Sequence, residues 1–148
     1  LLRLLRRAGC TTVKLGLETT SESTLRAVRR IGPTETAQAY LEKVAEAAAA
    51  CRAVGIACRL FVMTGLPGQT DDDVAETIRF LRRVRPHAVH VKAFHRYAGL
   101  PLPAADLDEE RKRGDRQAAL LSAEAARLAP SPSLWQRARR WLRRRYAP

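Results

Sequence analysis

Apolar positions along this chain switch repeatedly between a spacing of three to four residues and a spacing of two. Over residues 1–8, Leu1, Leu2, Leu4 and Leu5 share one side of a helix that Gly9 stops. "TTVKLGLE" at 11–18 then alternates, with Val13, Leu15 and Leu17 pointing one way and Lys14, Gly16 and Glu18 the other, as in a short strand. "TTSESTLRAVRRIG" predicts a helix: Thr20 or Ser21 caps it, Glu22 suits its first turn, Leu25 and Val28 face inward and Gly32 ends it. Pro33 and Thr34 restart the chain. An alanine-rich helix follows to Gly55, with Tyr40, Leu41, Val44, Ala48 and Cys51 at helical spacing. "IACRLFVMT" at 56–64 is almost continuously apolar, which predicts a strand covered on both faces. After the loop "GLPGQT", Thr70 and Asp73 form a capping-box pattern, and Asp71 and Asp72 add negative charge to the first turn. That helix runs to about Arg83 with Val74, Ile78, Leu81 and Val84 inside, and Pro86 ends it. "HAVHVKAFHRY" reads as a third strand.

Strands alternating with helices predict an α/β fold with a parallel sheet and right-handed crossovers. Beyond "AGLPLPAADL" the texture changes. Residues 106–128 look helical although Gly114 weakens the middle, and "APSPS" at 129–133 is a linker. In the tail, Leu134, Trp135, Ala138, Trp141 and Leu142 fall on one side of a helix, with arginines filling most of the rest. Three readings fit that tail: a membrane-interface helix, a helix packed on its own domain, or an RNA contact in which Trp135, Trp141 and Tyr146 stack on bases.

Composition narrows this modestly. The 148 residues suffice for one domain with its own core. No apolar run of about 18 residues occurs, and "LLRLLRRAGC" is not the apolar core of a signal peptide. The formal charge of +12 suits nucleic acid, an anionic membrane or an acidic partner, but arginine-rich composition alone produces it too. Cys10, Cys51 and Cys58 are odd in number and scattered, as expected in a reducing cytoplasm. His87, His90 and His95 mimic metal spacing, but residues 87 and 90 of a strand face opposite sides, so no metal site is expected. The first residue is Leu1 rather than Met, so the chain is expected to be a fragment.

In parallel α/β folds, ligands gather at the carboxyl ends of strands, where helix N-termini bring backbone N–H groups. Glu18 sits at such an end. Its carboxylate can accept from an amine or from ribose hydroxyls, or simply pair with an arginine or cap the next helix. Gly65 and Gly68 bracket Leu66 and Pro67 in a loop that either cradles a ligand or only turns the chain. No Gly-Lys-Ser/Thr follows, so it is not a phosphate-binding P-loop.

"AGCTTVKLGLETTSESTLRAVRR" resembles the fourth strand and following helix of radical S-adenosylmethionine (radical SAM) enzymes. "GIACRLFVMTGLPGQTDDDVAETIRFLRRVRP" is similar to their fifth strand and loop, and "VHVKAFHRYAGLPL" to their sixth. The likeness covers about residues 1–103 and is nearest to the class that carries an upstream cobalamin-binding domain. Methylthiotransferases and coproporphyrinogen-oxidase-like enzymes share much of this half. The resemblance implies the last three strands of a six-strand parallel (β/α) barrel over 1–103, then a helical basic tail over 104–148. It implies S-adenosylmethionine as cofactor. Glu18 would contact the methionine part or ribose, Arg30 the methionine carboxylate, and Thr64 and Gly65 the fifth-strand end beside it. Phe61 stands where some members carry an acidic residue, and Ala98 and Leu100 replace the usual proline and threonine.

The family's CxxxCxxC loop for a [4Fe–4S] cluster and its Gly-Gly-Glu motif do not occur in these residues. Cys10, Cys51 and Cys58 fall on separate elements, with no expected way to converge on a cluster. The chain alone is therefore expected to be inactive, completed by a missing N-terminal half that supplies the cluster and, in the cobalamin-linked class, cobalamin. A lone three-strand piece also exposes an edge, which predicts poor solubility. Two other readings stand beside this one. The first is a non-catalytic basic module binding RNA, membrane or a protein partner, and the second an unrelated α/β enzyme whose strand-end glutamate does acid–base work.

Overall fold

In the computed structural model, residues 1–95 and 107–128 are described. Their elements run α1 (Leu2–Arg7), β1 (Thr12–Glu18), α2 (Glu22–Ala27), α3 (Ala37–Ala53), β2 (Ala57–Thr64), α4 (Asp71–Val84), β3 (Ala88–Ala93) and α5 (Leu107–Leu128). The strands form one sheet in the order β1-β2-β3, with both pairs parallel. Parallel neighbours need a crossover, which α2 and α3 supply first and α4 second. The α/β class and the parallel sheet are thus as the sequence predicts. The expected tail helix over 134–148 and the turn at Ala98 and Leu100 lie outside the described residues.

All the long helices pack on one face of this sheet. Leu17, Leu60 and Val62 meet Val44, Ala48 and Cys51 of α3, Leu81 and Val84 of α4 and Leu121 of α5 in one core. Leu17, Leu60, Leu81 and Leu121 are fully buried, and each such side chain contributes roughly 1.5–3 kcal/mol by leaving water. β2 departs from the expected coverage on both faces. Cys58, Leu60, Val62 and Thr64 are buried, whereas Arg59, Phe61 and Met63 on the opposite face are only partly so. The reason is that, among the described residues, no helix lies over that second face.

α2 ends sooner than Gly32. Its last helical residue is Ala27, Arg29 turns left-handed at φ 55, and Val28 is 37% exposed rather than inward. Arg26 fixes this early exit by donating to the carbonyls of Gly32, Pro33 and Glu35 while pairing with Glu22. α4 follows its sequence signals closely. Thr70 Oγ1 accepts from Asp73 N at 3.2 Å, and Asp73 Oδ2 accepts from Thr70 N at 2.8 Å. Val74, Leu81 and Val84 are buried as expected, joined by Thr77 and Phe80, while Ile78 is half-buried. Thr70→Ala should destabilise the protein by about 1 kcal/mol, read from the urea midpoint. Thr70→Ser should restore most of it, and an unchanged midpoint in the alanine variant would show the cap to be idle.

The cysteines share a core without forming a metal-holding group among the described residues: Cys51 and Cys58 are buried in the main core, and Cys10 packs against it. Burial pushes the Cys58 thiol up to about 11 and raises Cys51 as well. These are protonated thiols among apolar side chains, the opposite of the thiolate state that iron requires. His90 stacks on Phe61, with ring centroids 4.9 Å apart and planes at 12°. His87 precedes β3, its backbone N–H bonded to the Cys58 carbonyl. No helix among the described residues is long and apolar enough to cross a membrane.

Candidate cofactor site at the strand ends

β1 does not run straight to its end. Its pairing with β2 slips between Gly16 and Glu18, and such a bulge re-aims a side chain. Glu18 itself has φ 62, a left-handed backbone that a side-chain-bearing residue adopts only at a cost of about 1–2 kcal/mol. The result is a carboxylate folded back over Gly16. A Cβ at residue 16 would run into Glu18 Oε1 and lie 3.1 Å from Arg30 Nη2. A side chain at residue 16 would push these two side-chain ends aside, so glycine is what lets the carboxylate fold back over the strand.

Arg30 is held on the same spot. Its Nη2 donates to the Gly16 carbonyl at 2.7 Å and its Nε to Tyr40 Oη at 2.9 Å, while Tyr40 Oη donates to the same carbonyl at 2.6 Å. Burial raises the Glu18 carboxyl above its ordinary value, and the nearby Arg30 charge pulls partly the other way. Among the described residues the Glu18 carboxylate accepts no hydrogen bond and forms no salt bridge. It is half withdrawn from water, charged against its surroundings and free to accept.

The neighbouring strand end is built differently. Thr64 is fully buried, and its hydroxyl donates to the Gly114 carbonyl at 2.9 Å. The Gly65 N–H donates to Gln117 Oε1 at 3.1 Å, and Gln117 Nε2 donates to Asp71 Oδ1 at 2.7 Å. Gly65 and Gly114 touch backbone to backbone, which explains a glycine in the middle of α5. Gln69, buried in the loop, ties the two ends: its Oε1 accepts from Leu66 N, and its Nε2 donates to Thr19 Oγ1 at 3.4 Å and to the Met63 carbonyl at 3.3 Å.

The fold therefore brings Glu18 and Arg30 together and sets Thr64 and Gly65 at the adjacent strand end, with their polar groups engaged by α5. Sequence reasoning missed three residues that shape the site. Tyr40 had only an apolar-face signal, Gln69 stood inside the loop motif without a role, and Gln117 carried no signal at all. A cleft of about 890 Å³ lies at the other end of the sheet, lined by Gly55, Arg59, His87 and Leu128 among others. Its Arg52 is occupied in holding the Val84 and Arg85 carbonyls.

Residues 1–81 match the family model described as the Radical SAM superfamily. Over 77 residues the chain is 40% identical to the ribosomal protein uS12 methylthiotransferase RimO of Saccharopolyspora erythraea, covering 52% of this chain and 15% of that protein. The fold is similar to that of coproporphyrinogen III oxidase (HemN) from Escherichia coli, a radical SAM enzyme. The TM-score is 0.61 at 18% identity, over 83% of this chain and 29% of that one. The chain thus spans well under a third of either protein, and its three strands and their helices correspond to part of a larger α/β barrel.

Proposed function

This chain belongs to the radical SAM superfamily, and from that premise we propose that its strand ends form part of the wall that binds S-adenosylmethionine. The observation that carries this is Glu18: a strained, half-buried carboxylate with nothing to accept from. Strain of this kind persists where the surroundings over-determine it, and a ligand-binding group is a reason to retain it. In this reading Glu18 accepts from the ribose hydroxyls or the amine, and Arg30, fixed by Tyr40, faces the methionine carboxylate. Thr64 and Gly65 form the adjacent wall through their backbone shape, since α5 holds their polar groups. S-adenosylmethionine, once bound and reduced, supplies the radical chemistry of the superfamily.

The cysteines of this chain do not fit an iron–sulfur cluster: Cys51 and Cys58 are buried in the core, and among the described residues no group of cysteine, histidine and carboxylate side chains could hold a metal ion. The cluster ligands would come from another part of the protein, and the 148 residues alone would be inactive. Two finer classes have support. The motif order of the three strand ends favours the class with an upstream cobalamin-binding domain, and the identity to RimO favours methylthio transfer. A cytoplasmic setting suits either.

The test is anaerobic reconstitution of the intact protein, followed by measurement of S-adenosylmethionine affinity and 5′-deoxyadenosine formation. Glu18→Gln and Arg30→Ala should each weaken binding about tenfold or more, the equivalent of roughly 1.4 kcal/mol. Unchanged affinity and unchanged deoxyadenosine in both variants would sink the assignment.

A further inference from the structure

The face of the sheet that no described helix covers has a composition of its own. Parallel register sets Lys14 beside Arg59, then Gly16 beside Phe61 and His90, then Met63 beside Lys92. Their sequence neighbours Leu15, Leu60, Val62 and Val91 all belong to the core on the helix side, so these side chains project from the opposite face. Among the described residues of the sheet, that face carries Lys14, Arg59, Lys92 and the His90 imidazole against the carboxylate of Glu18. Among the described residues, Lys14, Arg59 and Lys92 form no ion pair.

Two nitrogens on this face are more informative than the charge count. Arg59 Nε and His90 Nε2 are shut off from water and have no hydrogen-bond partner. Buried polar groups are nearly always paired, so two orphans on one face, in adjacent rows, mark a position for a polar group; Arg59 Nε–H can only donate, and His90 Nε2 donates when it carries the ring proton. The Phe61 stack holds the His90 ring flat and keeps its edge nitrogen in place. In a closed barrel this face is the interior, where low polarity strengthens every charge interaction.

We propose that this face binds an anionic group of the substrate, a carboxylate or a phosphate, between Arg59 and His90 with Lys14 and Lys92 flanking it. A guanidinium donates to either oxyanion through its fork, and lysines add charge without fixing geometry. The His90 row is level with Gly16, over which the Glu18 carboxylate folds, so the anion would lie next to the proposed cofactor site. The proposal rests on the cofactor reading for its placement but not for its binding chemistry.

The test uses the ¹⁵N-labelled protein, titrated separately with succinate and with inorganic phosphate at constant ionic strength set by sodium chloride. Saturable shifts of the Arg59 side-chain N–H and the His90 ring are expected with at least one probe, and which probe acts names the anion. Arg59→Gln should weaken that binding about tenfold, and Arg59→Lys less. Shifts that chloride alone reproduces, or equal affinity in Arg59→Gln and the parent, would overturn the proposal. A separate titration with S-adenosylmethionine reads the Gly16 and Glu18 amides. If those stay still while succinate or phosphate still moves Arg59, the cofactor reading fails and the anion site stands.

Discussion

Gly65→Ala is expected to destabilise the protein by about 2–4 kcal/mol and to loosen α5 from the sheet. Two effects add at this residue. Its φ of +68 is a left-handed conformation that costs a side-chain-bearing residue about 1–2 kcal/mol. Its new Cβ would also stand 2.8 Å from Gly114 Cα, which is backbone and yields only if the helix moves. Overpacking of that kind costs about 1–3 kcal/mol, and moving the helix breaks the bonds from Thr64 to Gly114 and from Gly65 to Gln117. Gly68→Ala is the control. Gly68 has φ +75 with nothing near its missing Cβ, so it should show the conformational part alone, about 1–2 kcal/mol. The urea midpoint reads the total, and hydrogen exchange of the 107–128 amides reads the release of α5. Equal losses for the two variants, with α5 protection intact, would mean that the Gly65–Gly114 contact contributes nothing.

This contact also shows where sequence reading stops. Taken alone, Gly114 weakens a helix by about 1 kcal/mol relative to alanine, and that is how the pattern over 106–128 presents it. Its purpose is visible only once residue 65, far away along the chain, lies against it. The order of elements, the capping box at Thr70 and the inward face of α4 were legible because each rests on neighbours within a turn or two. Glu18 and Arg30 could be singled out by position at a strand end. Neither the bulge that lifts the carboxylate nor the Tyr40 hydroxyl that anchors the arginine leaves a local pattern, since both depend on β1 and α3 meeting. The apolar run of β2 suggested two covered faces, but the pattern cannot say which neighbours supply the cover.

Glu18→Gln is expected to make the folded protein more stable at neutral pH while weakening S-adenosylmethionine binding, and Glu18→Gly is expected to stabilise it further. Burial raises the Glu18 carboxyl above its ordinary 4.5, with Arg30 offsetting only part of this. The folded state therefore holds a proton that the unfolded chain gives up more readily. Stability from this group is present in acid, falls as pH rises through the unfolded value, and levels off above the raised folded value. Glutamine carries no charge to desolvate, and it forfeits no bond, since the carboxylate accepts none among the described residues. Its advantage should thus appear above about pH 5 and vanish toward pH 4. Glycine also relieves the left-handed φ of 62, worth about 1–2 kcal/mol at any pH. Urea midpoints of the parent and both variants between pH 4 and 8, paired with cofactor titrations, separate the two contributions. A residue that only shaped the fold would behave in the reverse way, its loss lowering stability and leaving the cofactor indifferent. A gain in stability coupled to a loss of binding would place the strain at Glu18 in the service of a ligand, because Arg30 offsets only part of the cost of burying the carboxylate.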